Sequence, residues 1–395
     1  MSHGPEWHFA ERPTIEHLKA MGYGFVAPAE HAGLREGENQ VLFRPHLVEA
    51  LIRINGIDRA SAEAAYGELA AISDNEAWLK VLRGDYARKV TGQETRHTLR
   101  VIDFLDPGNN QFSVTHQLRV KAENTRKPDV VVYVNGIPLV VIEAKSPLNV
   151  KDKTGEAFEQ IKQYEQDIPR LFFSNVFNIV TDGALVLYGT TGSGSKYYAE
   201  WRDPWPQLEG DFPDTLAKGL WCLLEPSRLL DLIAHYVVFE KTETGTIKKI
   251  CRYQQFRAVN RIVDRVIEGN IALIARLSRS GTIEVENLDH TRFCRAKGLS
   301  PRRILLRHTL PNISVPIVTI IGLQFGGMLA FAVVVESIFS WPGVGKLLID
   351  SIQLLDRPVV MATLTFIAVA FVALNALVDL FHAVLDPRVR LSSQR

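Results

Sequence analysis

Asp129, Glu143 and Lys145 have the types and spacing of a centre for phosphodiester hydrolysis. Two carboxylates facing each other repel in a bare sheet, so such a pair calls for a reason, and a hard, oxygen-seeking cation such as magnesium supplies one. The cation would neutralise both acids and hold a scissile phosphate. The neighbouring lysine could orient or activate the attacking water and stabilise charge developing on phosphorus. A blander reading makes the same three residues solvated strand ends, and an E-x-K triplet alone does not separate the two. The apolar, strand-forming flanks favour the first.

These residues must be positioned by the segment Pro128 to Lys145, two β-branched runs joined at Asn135-Gly136, which predicts a hairpin. With Asn135, Gly136 and Ile137 as a three-residue loop, Val134 pairs with Pro138 and Asp129 falls directly opposite Glu143. Lys145 then shares that face by the two-residue period. A two-residue loop would put the acids on opposite faces, unless a bulge intervened. On the helix predicted next, Gln160 and Tyr164 are four apart and share one face, within reach of the same centre. Their amide and hydroxyl could serve a DNA phosphate or a metal-bound carboxylate, and an ordinary solvated helix face is the alternative.

The 395 residues exceed one ordinary core, so a seam is expected. Lys+Arg 45 against Asp+Glu 44 gives net charge +1, so nucleic-acid contact would need a local patch rather than a global field. Cys222, Cys251 and Cys294 form no CxxC pair, which suits a reducing cytoplasm, and the opening residues do not read as a secretory signal. Hydropathy is uneven. Ile313 to Val335 and Val359 to Val378 carry no charge, and each meets the roughly 20 residues needed to cross a bilayer. A buried core hairpin is the alternative for these spans. The expected seam is the turn signal Glu268-Gly269-Asn270 after a polar helix from Gln254, dividing the chain into 1–268 and 269–395.

The order D…E-x-K followed by Q-x-x-x-Y resembles the nuclease signature of the restriction subunit of type I restriction-modification enzymes. Val101 to Phe104, Asn110 to Val114, Gln117 to Val120, Arg126 to Pro147, Phe177 to Gly183, Leu229 to Glu240 and Tyr253 to Val263 are similar to that family's amino-terminal domain. The resemblance implies an α/β restriction-endonuclease-like core, a mixed sheet flanked by helices, acting on double-stranded DNA with modification and specificity subunits as partners. It implies Asp129 and Glu143 as ligands of magnesium, with manganese as a substitute, Lys145 as catalytic lysine, and Gln160 and Tyr164 as supporting catalytic residues. Glu16 stands where related nucleases often carry one more acid. The family's ATP-driven motor does not follow. Gln254 or Gln255 resembles the glutamine that precedes such motors, but no G-x-x-x-x-G-K-[ST] loop arrives, so no ATP site is expected. Gly189 to Lys196 reads as a strand-to-strand loop and Gly343 to Lys346 as a decoy.

Beyond Ile271, Cys294 to Ser300, His308 to Leu310, Pro316, Glu336 to Gly343 and Leu385 to Arg388 resemble dipeptide, oligopeptide and nickel ABC transporter permeases. The resemblance implies an all-α transmembrane hairpin after a coupling helix, with roughly residues 289–303 docking on transporter ATPase and permease subunits. Arg292 and Phe293 stand where smaller residues are usual. Basic residues from Arg292 to Arg307 and from Arg388 to Arg395 flank the two spans. Both ends therefore face the cytoplasm, Trp341 to Arg357 forms the outer loop, and the nuclease is held on the cytoplasmic side of the inner membrane. The expected function is a magnesium-dependent endonuclease of the type I restriction class fused to a permease fragment. The alternatives are a membrane component of a peptide or nickel importer, or a chimeric reading frame with neither activity.

Overall fold

A computed structural model of the chain describes residues 6–89, 96–145, 153–242, 245–297, 300–310, 313–314, 317–318, 320, 336, 343–354 and 356–385. It divides into two compact units, Met1–Gln254 and Gln255–Arg395.

The first unit is built on a seven-stranded mixed sheet. Its strands are β1 (Gly24–Val26), β2 (Phe112–His116), β3 (Val130–Val134), β4 (Ile137–Ala144), β5 (Phe177–Thr181), β6 (Val186–Gly189) and β7 (Ala199–Glu200), adjacent in chain order. β1–β2 and β4–β5 are parallel and the other neighbours antiparallel. The flanking helices are α1 (Arg12–Ala20), α2 (Arg44–Asn55), α3 (Arg59–Ala70), α4 (Asn75–Leu82), α5 (Lys153–Asp167), α6 (Thr215–Leu224) and α7 (Pro226–His235). The ribbon β8 (Val237–Thr242) and β9 (Gly245–Ile250) completes the unit.

The central hairpin shows why its register could not be read by alternation. β3 and β4 are buried at every position, so both faces are apolar and no polar side marks solvent. Its turn has two residues, not three: Val134 pairs with Ile137 across Asn135 (φ 51°) and Gly136 (φ 77°), the left-handed pair of a tight hairpin. Glycine is required at the second position, where a Cβ would lie 2.5 Å from the Phe43 carbonyl oxygen at the start of α2. Tyr133 then pairs with Pro138, but Val132 pairs with Val140, leaving Leu139 as a bulge. That extra residue restores the register lost to the shorter turn. Val130 faces Ile142, so Asp129 lies one step on from that pair, opposite Glu143.

The parallel step from β4 to β5 runs through α5, whose residues Ala157, Ile161 and Tyr164 recur at helical spacing and, with Ile168 just past its end, pack on Val131, Tyr133, Val141 and Val180. This face fixes the rotation of α5 and so sets Gln160 and Tyr164 beside the hairpin's end. Gly189 to Lys196 forms the expected connection between β6 and β7, with a short helical turn at Ser195–Tyr197.

The second unit departs from expectation in two places. Helix α8 (Tyr253–Asn287) runs through Glu268-Gly269-Asn270 without the expected turn, because the helix-forming, apolar Ile271 to Leu277 carries the pattern on. Helix α9 (Asp289–Ala296) follows. Within the expected outer loop Trp341 to Arg357, the chain forms helix α10 (Val344–Gln353). Among the described residues one helix is long and apolar enough to cross a bilayer, Arg357–Val378 within α11 (Arg357–Leu385). Most of the other expected span, Ile313 to Val335, lies outside the described residues.

Candidate active site

Asp129 precedes β3, Glu143 closes β4, and Lys145 follows it, its backbone N–H donating to the Thr181 carbonyl at 2.8 Å. Asp129 is 9% exposed and Glu143 0%. One Asp129 oxygen accepts from the Ala144 backbone N–H at 2.9 Å, which pins the carboxyl across the hairpin. Glu143 Oε1 accepts from Lys145 Nζ at 2.8 Å, while its Oε2 is buried and makes no hydrogen bond. The same ammonium donates to Gln160 Oε1 at 2.7 Å, and Gln160 Nε2 donates to Tyr164 Oη at 2.5 Å. All five residues singled out from the sequence thus stand in one cluster.

Electrostatics follow from that burial. Burial pushes the Asp129 carboxyl up to about 6, with a further push from Glu11 and opposition from the Ala144 hydrogen bond and Lys145. Glu143 is raised well above the ordinary carboxyl range, first by burial and then by the charge of Asp129. Burial disfavours the Lys145 ammonium, but Glu143 and Asp129 outweigh it and hold its pKa above the usual lysine value. Tyr164 is likewise raised by burial, then by Glu143, so it stays a neutral phenol. Two acids that resist ionising together, with a carboxylate oxygen lacking a donor, form an environment that a bound cation would relieve.

Sequence reasoning missed Glu11 and His116. Glu11 is 5% exposed and meets His116 Nε2 at 2.5 Å, and the Trp7 ring lies 4.5 Å from the imidazole, centroid to centroid. The short Trp7–Glu11 helical turn is brought there by Gly183 in the β5–β6 turn, where a Cβ would come 2.3 Å from the Phe9 carbonyl oxygen. No local pattern marks Glu11, because its partner is 105 positions away. Glu16 is elsewhere: its side chain is 56% exposed and pairs with Lys19 on α1. Among the described residues no group of three or more His, Cys, Asp or Glu side chains is gathered closely enough to hold a metal, so a cation here would rest on two carboxylates and complete its shell with water or substrate oxygen.

Residues 6–197 match the family described as the type I restriction enzyme R protein N terminus. Residues 268–391 match the binding-protein-dependent transport system inner membrane component. Two segments of the chain thus match two different families. Its restriction segment is similar to the type I restriction enzyme HindI endonuclease subunit of Haemophilus influenzae, 31% identical over 279 residues, covering 65% of this chain and 26% of that protein. Its permease segment is 44% identical over 131 residues to the dipeptide transport system permease protein DppB of Escherichia coli, covering 33% of this chain and 39% of that protein. It is also 40% identical over 119 residues to the Escherichia coli glutathione transport system permease protein GsiC, 30% of this chain and 39% of that protein. The chain therefore spans about a quarter of its restriction relative and about two fifths of its permease relatives.

Proposed function

We propose that the first unit is a magnesium-dependent endonuclease of the type I restriction class, cleaving phosphodiester bonds in double-stranded DNA. One observation carries the reading: fully buried Glu143 keeps an oxygen without a donor beside the carboxyl of Asp129, while Lys145 bridges Glu143 to Gln160. Asp129 and Glu143 are the residues that would hold magnesium or manganese, which when bound supplies Lewis acidity and charge neutralisation at the phosphate. Lys145 orients the attacking water and stabilises charge on the phosphoryl oxygens. Gln160, fixed by Tyr164, keeps the ammonium in place between its two acceptors.

The reading assigns no ATP site to this chain and makes modification and specificity subunits the partners that deliver DNA. The permease segment is proposed to hold the nuclease on the cytoplasmic side of the inner membrane, with Ile313 to Val335 and α11 as its two spans. A second reading, a membrane component of a peptide or nickel importer docking through roughly residues 289–303, is favoured by the 44% identity to DppB and requires other subunits. Amplifying transcript across Gly269 tests whether both segments are read as one message.

The catalytic test is nicking of supercoiled plasmid in manganese. Asp129→Ala and Glu143→Ala should each lose nicking and lose the calorimetric manganese signal. Asp129→Ala that nicks like wild type would end the nuclease reading and leave an inherited fold.

A further inference from the structure

Among the described residues, the chain places glycine at eight positions with left-handed φ and a residue with a side chain at two, Asn135 and Gln117. Left-handed backbone strains any residue bearing a Cβ, so each exception calls for a reason. Asn135 has one in its own side chain: Nδ2 donates to the Val101 carbonyl at 2.9 Å and to Asn110 Oδ1 at 2.8 Å, and Oδ1 accepts from the Gln111 N–H at 2.8 Å. Gln117, at φ 47°, has no such network. It is exposed, and its carboxamide has no hydrogen-bond partner among the described residues. Glycine would turn the chain there with less strain.

The position of that strain is informative. Gln117 is the first residue after β2, directly follows His116, the partner of Glu11, and donates its backbone N–H to the Asp129 carbonyl at 2.9 Å. A residue whose polar side chain has no partner among the described residues is thus tied through its own backbone, at a conformational cost, to the backbone of a site carboxylate. We propose that Gln117 is a substrate-contacting residue whose carboxamide donates to a DNA phosphate oxygen flanking the bond to be cut. The proposal rests on the nuclease reading of this site. A glutamine amide suits the role, since it donates to phosphate without adding charge beside the acid pair.

The test uses the full chain in lipid nanodiscs with Gln117→Gly and Gln117→Asn. Three quantities are read: thermal unfolding of the first unit, equilibrium binding of a fluorescent DNA duplex in EDTA, and nicking in manganese. Gln117→Gly should raise the melting temperature by about 2 to 4 °C. It should also weaken DNA binding about 10- to 100-fold, the worth of one hydrogen bond to a charged acceptor, with little change in the rate at saturating DNA. Gln117→Asn keeps the carboxamide and tolerates the backbone, so it should bind more tightly than Gln117→Gly. If Gln117→Gly melts higher and binds like wild type, the strain is merely tolerated and the proposal is wrong. If it melts lower, the side chain is structural, and that too overturns the proposal. Absence of DNA binding by wild type does the same. Asp129→Ala, run alongside, reports the nuclease reading separately, because duplex binding in EDTA does not depend on turnover.

Discussion

Two apolar stretches of this chain, the β3–β4 hairpin and helix α11, use similar residues and meet opposite surroundings. Val132 is 0% exposed, enclosed by neighbouring strands and helices of its own unit. Val369 and Val372 on α11 are 62% and 66% exposed, and Phe366 is 61% exposed. The hairpin's apolar surface is covered by protein and forms a core, whereas that of α11 remains to be covered. Residue type alone therefore does not distinguish a core strand from a helix long and apolar enough to cross a bilayer. Length and the availability of partners do: β3 has 5 residues and paired edges, α11 has 29 and a charge-free stretch from Val359 to Val378.

Charge placed in each stretch should break this comparison most severely. Val132→Asp buries an unpaired carboxylate in the sheet, costing about 3 to 5 kcal/mol or more, a large part of a domain's stability. Limited proteolysis should show the first unit degraded while the chain still sediments with membranes. Val369→Asp with Val372→Asp should do the converse, because each aspartate costs roughly 2.5 to 3.5 kcal/mol mid-bilayer and little in water. The chain should then move toward the soluble fraction with the first unit still protease-resistant. If the α11 variant stays wholly in the membrane fraction, α11 is not the anchor.

A smaller effect sharpens the contrast inside the first unit, between its apolar core and its buried acids. The Asp129 carboxyl is pushed up to about 6 in the folded state from 3.8. Without metal, its contribution to stability is fully present below about pH 4 and is lost as pH rises through about 6, a loss of roughly 2 to 3 kcal/mol. Asp129→Asn removes that loss. In EDTA at pH 7.5 the variant should melt several degrees above wild type, and near pH 4 the two should coincide. Manganese should raise the wild-type melting point and leave the variant unmoved. Equal melting points at pH 7.5 in EDTA would show that burial of this acid carries no cost.

Much of the site was legible because its signals are local. Valine and isoleucine around Asn135-Gly136 specify a hairpin, and the spacing of Gln160 and Tyr164 specifies one helix face. The sharing of a face by Asp129 and Glu143 was expected from a three-residue loop, or from a two-residue loop with a bulge, and the chain takes the second route through the Leu139 bulge. A strand buried on both faces offers no polar alternation from which to read a bulge. Glu11, His116 and the left-handed Gln117 were illegible for another reason: each depends on contacts made only when the amino-terminal turn, β2 and β3 come together. The turn expected at Glu268-Gly269-Asn270 is absent, because a Gly-Asn pair is a weak helix breaker when strong helix formers follow it, although the permease family match begins at residue 268 beside it.

The central claim is that the acid pair forms a cation site and that Lys145 acts on the substrate rather than on the metal. The direct measurement is Lys145→Ala followed by paired assays, calorimetric titration with manganese and nicking of supercoiled plasmid. Manganese binding should persist within a few-fold while nicking falls by about 10²- to 10³-fold, the usual worth of a donor to developing charge. Nicking at the wild-type rate, or loss of manganese binding together with nicking, would contradict it.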